Sequence, residues 1–172
     1  MLREIAVKTL TGRGRINYFY ERELHLDSDI SKTLGCWIIN LNYERKFEGE
    51  DLYLEGYYSI QLWYAKDNDQ TSSVYEERIP FREKATMVYR NIPTLSDEKY
   101  VKVFVNQYPS AVYMKLNEDK TVSLKIEALY FIDVFQEAVI VVESQDNAKA
   151  DMTLDEEILL NVNPNYLTEN KK

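Results

Sequence analysis

Residues 35–64 read GCWIINLNYERKFEGEDLYLEGYYSIQLWY, the most apolar and aromatic block of the chain. In its first half Trp37, Ile39, Leu41 and Tyr43 recur at every second position. In its second half Leu52, Leu54, Tyr58, Ile60, Leu62 and Tyr64 fall on one face. Side chains of a strand alternate between its two sides, so a period of two marks a half-buried strand. The charged run Glu44 to Glu50 predicts the turn between the two strands. A long hairpin of this kind is expected to organise the core of an all-β protein.

The same alternation extends outward in both directions. Arg3 to Leu10 reads as an edge strand, and Thr11 to Arg15 as a glycine-bearing turn. Ile16, Tyr18, Tyr20, Leu24 and Leu26 share a face, interrupted near Arg22, where a bulge is expected. Beyond the hairpin, Asp67 to Ser73 is a polar loop. Val74 to Phe81 is a strand near a sheet edge, because Pro80 has no amide hydrogen to donate. Ala85, Met87 and Tyr89, then Val101, Val103 and Val105, then Val122, Leu124 and Ile126 mark further strands. Turn signals at roughly ten-residue spacing predict an antiparallel β-sandwich of eight to ten strands. The sandwich is assigned to residues 1–147. Residues 148–172 form a short acidic tail, in which Thr153-Leu154-Asp155-Glu156 fits a helix capping box. Leu154, Ile158 and Leu159 would line one side of that helix, and Asn163-Pro164-Asn165-Tyr166-Leu167 closes the chain.

Composition limits the function. The 172 residues suffice for one domain with its own core. A net charge of −8 disfavours binding to phosphate backbones or anionic membranes. No run reaches the roughly 18 apolar residues of a membrane helix, so no membrane insertion is expected. The charged start MLREIAVKTL does not read as a signal peptide, and the single cysteine permits no internal disulfide.

The residues that carry chemistry elsewhere are poorly placed here. Cys36 sits in a strand with no histidine nearby in sequence and reads as an inert thiol. His25 alone cannot hold zinc. Asp67-Asn68-Asp69 lacks the glycine and distant glutamate of a calcium loop. Glu50-Asp51 and Glu76-Glu77 are adjacent in strands, so each pair points to opposite faces rather than across a substrate. Arg13-Gly14-Arg15 reads as an exposed turn, or as a docking point for an acidic partner. No catalytic residue, metal or cofactor is expected. The second face of the hairpin is more informative. Tyr53, Tyr57 and Trp63, with Ile38 on the companion strand, make a mixed aromatic and polar face suited to self-association. The rival reading is a carbohydrate-binding β-sandwich that uses Tyr53, Tyr57 and Trp63 as a sugar platform.

The chain also resembles the CotE family of outer spore-coat morphogenetic proteins. The resemblance rests on Leu34-Gly35, Trp37-Ile38-Ile39-Asn40, Tyr43, Glu55-Gly56, Tyr58, Ile60 and Trp63-Tyr64, then on Glu77-Arg78 and Tyr89-Arg90. Arg3-Glu4-Ile5 and Gly14-Arg15 fit its beginning, and Asn163-Pro164 with Tyr166-Leu167 its closing motif. The resemblance implies a non-enzymatic scaffold, made in the mother-cell cytoplasm and assembled on the forespore surface as spore outer coat. It implies self-association and recruitment of other coat proteins. Implied partners include the basement-layer morphogenetic ATPase and the encasement protein. Leu154, Ile158, Leu159, Pro164, Tyr166 and Leu167 are the partner-docking candidates. The family's long acidic tail is shorter here, reduced to Asp151, Asp155, Glu156 and Glu157.

Overall fold

A computed structural model describes residues 1–143. They form seven strands: β1 (Leu2–His25), β2 (Ile30–Glu48), β3 (Asp51–Lys66), β4 (Thr71–Lys84), β5 (Thr86–Tyr89), β6 (Tyr100–Leu116) and β7 (Thr121–Glu143). These make two antiparallel sheets in a sandwich, as expected, with orders β5-β1-β7-β6 and β2-β3-β4. Residues 6–139 form one compact unit, and residues 1–5 and 140–143 belong to a second. The short helix and closing motif expected within 148–172 lie outside the described residues, as does the boundary placed at residue 147.

The strands number seven rather than eight to ten because several are longer than the turn signals suggested. The expected turn at Thr11 to Arg15 runs through β1 as strand, since Gly12 to Arg15 pair with Tyr89 to Thr86 of β5. Glycine is needed there for space: a Cβ at Gly14 would meet the Thr86 carbonyl oxygen at 2.8 Å. β6 runs on through Pro109-Ser110, with register shifts against β7 on either side.

β2 and β3 form the predicted hairpin, but its turn is tighter. The ladder continues to Glu48↔Asp51, leaving only Gly49-Glu50 between the strands. Gly49 has φ +63°, the first central position at which a two-residue turn takes a glycine. The charged stretch stays in strand because its charges are neutralised across the sheet. Lys46 faces Glu48 and Glu55, and Arg82 of β4 bonds Glu48 at 2.6 Å and Glu55 at 3.0 Å.

One facing is reversed. The alternation places Trp37 with the core residues and Ile38 on the outer face; the structure does the opposite. Trp37 is 54% exposed, whereas Cys36 and Ile38 pack on the core with Leu41 and Tyr43. The cause is a bulge between Ile39 and Asn42, where Asn40 adopts φ 55°. An inserted residue shifts a period-two pattern by one, so the strand's two halves point oppositely.

The core lies between the two sheets. β3 contributes Leu52, Leu54, Tyr58, Ile60 and Leu62; β7 contributes Val122, Leu124, Ile126, Tyr130, Ile132 and Val134. Tyr58 is fully buried, and its hydroxyl lies 2.9 Å from that of Tyr18 of β1, so neither polar tip is left without a partner. The rings of Tyr18, Tyr58, Phe81 and Tyr130 pack edge to face, tilted or, for Phe81 on Tyr130, stacked, at centroid distances of 5.5 to 6.3 Å. β4 is an edge strand, as Pro80 predicted.

Candidate functional site

With the inner faces committed to the core, the outer faces of the two sheets are what the molecule presents. On the three-stranded sheet, Tyr53 and Tyr57 point outward as expected but are not open platforms. Arg82 lies over the Tyr53 ring and Arg78 over the Tyr57 ring, each with its guanidinium 4.3 Å from the ring centre. A bound sugar stacks on an aromatic face, and both faces are already taken by cations. The three-ring carbohydrate platform is therefore not present. Trp63 remains 39% exposed, across the ladder from Gly35 on one side and Val74 on the other. The Trp37 ring folds over Gly35, where a Cβ would approach it to 2.7 Å. Trp37, Trp63 and Val74 thus form a small apolar patch. The expected contribution of Ile38 to this face is lost, because the bulge turns it to the core.

The four-stranded sheet presents a different face. Outward residues of β7 alternate as Lys125, Glu127, Leu129, Phe131 and Asp133. β6 sets Phe104 beside Phe131 and Lys102 beside Asp133. Two ion pairs fix β1 alongside: Arg13 to Asp133 at 3.2 Å and Glu21 to Lys125 at 3.0 Å. β5 places Val88 beside Arg13 and Thr86 beside Arg15. The result is a shallow groove of about 670 Å³ floored by Val88, Phe104 and Phe131 and rimmed by Arg13, Arg15 and Asp133. Val88 is 72% exposed and Phe104 49%. Sequence reading missed this face. The signal was the nearly uniform apolar run Leu129 to Phe135, in which Phe131 and Ile132 must point to opposite sides.

The remaining candidates behave as structural groups. Burial alone pushes the Cys36 thiol up to about 11, so it stays protonated at neutral pH and is a poor nucleophile. Glu76 and Glu77 diverge, as expected of strand neighbours. Glu76 accepts from Gln61, whereas Glu77 accepts from Arg22 at 2.7 Å and from the Tyr75 hydroxyl at 2.6 Å. Burial would raise the Glu77 carboxyl, but those two donors outweigh it and hold it below its ordinary value. Asp67-Asn68-Asp69 forms the β3–β4 turn, with all three residues at positive φ and Thr71 donating to Asp67. Asp69 is engaged by Ser31 at 2.6 Å and Lys32 at 2.9 Å. Among the described residues no group of three or more side chains is placed to hold a metal ion, and no helix is long and apolar enough to cross a membrane. The docking candidates Leu154, Ile158, Leu159, Pro164, Tyr166 and Leu167 lie outside the described residues. What the two faces offer is contact chemistry: apolar surface, aromatic rings and paired charge.

A family model described as outer spore coat protein E (CotE) matches residues 1–169, nearly the whole chain. No curated protein and no solved structure matches it.

Proposed function

The chain belongs to the outer spore coat protein E (CotE) family, and from that premise we propose that it is a non-enzymatic building block of the outer coat that self-associates and recruits other coat proteins. The observation that carries this is the family match along nearly the whole chain. Two outer sheet faces that expose aromatic and apolar residues support it. Exposed apolar surface of this kind is the usual mark of protein contact. In this reading the sandwich supplies the self-association. The tail from residue 148, with Leu154, Ile158, Leu159, Pro164, Tyr166 and Leu167, supplies the docking of partners, among them the basement-layer morphogenetic ATPase and the encasement protein. The chain is made in the mother-cell cytoplasm and settles on the forespore surface.

A fluorescent fusion in a sporulating host tests both halves. The full chain is expected to form a shell around the forespore. A chain ending at residue 147 is expected to keep the shell while outer-coat proteins are lost from the spore. A diffuse signal from the full chain would contradict the scaffold reading. A normal complement of coat proteins on spores carrying the truncated chain would contradict the role of the tail.

A further inference from the structure

The outer face of the four-stranded sheet carries its charges in an order that matters. The ion pairs Arg13–Asp133 and Glu21–Lys125 mark its two ends, eight residues apart on both β1 and β7. At roughly 3.3 Å per residue that is a span of roughly 26 Å. One end is cationic, with Arg13, Arg15 and Lys102 around the single acid Asp133. The other end is acidic on balance, with Glu21, Glu23 and Glu127 against Lys125 and Lys115. Phe19, Phe104 and Phe131 lie between the ends and are 55%, 49% and 41% exposed. Arg15 and Glu127 have no ion-pair partner among the described residues.

We propose that this face is a two-fold contact between two copies of the chain. A two-fold axis lying in the interface, across the strands, reverses the strand direction of the second copy. The cationic end of each copy then lies over the acidic end of the other, and the phenylalanines of both meet in the middle. An isologous contact requires such self-complementarity, because the same patch serves both partners. Stacking the two copies with strands in the same direction would set cation on cation and acid on acid, and is disfavoured. The apolar centre is desolvated while the charged ends set orientation, the division of labour found at stable interfaces. The arrangement leaves the Trp37–Trp63–Val74 patch of the opposite sheet free for other contacts. The proposal rests on the self-association reading above and adds to it the face, the partner and the symmetry.

The test uses the intact chain in two charge variants. Arg13→Glu with Arg15→Glu makes both ends acidic, and Glu21→Arg with Glu127→Arg makes both ends basic. Sedimentation velocity is expected to show each variant alone associating at least tenfold more weakly than the native chain. An equimolar mixture is expected to restore association, with native mass spectrometry showing one copy of each in the dimer. Circular dichroism checks that both fold. If the acidic variant does not fold, Phe104→Gln with Phe131→Gln takes its place, with the same expected loss. Variants that associate like the native chain overturn this face and leave the self-association reading standing. A mixture that fails to recover overturns the two-fold geometry. A native chain that stays monomeric throughout overturns both.

Discussion

The outer faces of the two sheets contain similar residues in different orders. On the three-stranded sheet, charges and rings are interleaved: Arg82 bridges Glu48 and Glu55 while covering Tyr53, and Arg78 covers Tyr57. That face largely satisfies itself, apart from the Trp37–Trp63 patch. On the four-stranded sheet, Lys102 and Lys125 lie over the Phe135 and Tyr113 rings towards the two ends, and Phe19, Phe104 and Phe131 are left exposed between them. Composition alone does not separate the two. The difference teaches that an interleaved face is complete within one chain, whereas a segregated one leaves surface for the two-fold contact proposed above.

The comparison can be broken or sharpened by mutation, beginning with the core that the two sheets share. Tyr58→Ala in β3 and Tyr130→Ala in β7 should each cost about 4 kcal/mol in urea denaturation, as for other buried aromatics cut to alanine. A large asymmetry between them would mean that the sheets do not share one core. The next effect separates the sheets by backbone spacing. At Gly56 of β3 a Cβ would strike the backbone of Asn42 and Tyr43, the latter at 2.7 Å, and backbone cannot step aside. At Gly12 of β1 the close contact is the half-exposed ring of Tyr89, also at 2.7 Å, which can move. Gly56→Ala should therefore cost about 2 kcal/mol, and Gly12→Ala less than about 1 kcal/mol, by the same denaturation measurement.

A smaller effect appears in acid. The folded state holds the Glu77 carboxyl below its ordinary value, so the unfolded chain binds its proton first as pH falls. Its contribution is complete above the ordinary carboxylate range and is lost as pH drops through the lowered folded value. Glu77→Gln should flatten the acid limb of the stability curve between neutral pH and about pH 3. An unchanged slope would mean that the Arg22–Glu77–Tyr75 cluster contributes nothing. The smallest effect belongs to the interleaved face. Arg78→Gln should cost about 0.5 kcal/mol, the scale of an exposed cation–π contact, and should leave association unchanged. Weakened association in that variant would place the contact on the wrong sheet.

Much of this was legible in the sequence. Alternation from Leu52 to Tyr64 gave the inner face of β3, and Pro80 placed β4 at an edge. What was not legible follows from non-local causes. The bulge before Asn42, which exposes Trp37 and buries Ile38, changes the phase of a pattern that looks continuous in one dimension. The continuation of β1 through Arg13-Gly14-Arg15 depends on β5, more than 70 residues away in sequence, as the pairing Arg15↔Thr86 shows. The segregated face assembles from four strands drawn from both ends and the middle of the chain. No local pattern carries that information, although the two-sided apolar run around Phe131 hints at it.

The most direct measurement is sedimentation equilibrium of the intact chain from low to high micromolar concentration at neutral pH. The account predicts a mass that rises with concentration through a dimer. A single monomer mass at every concentration would contradict it.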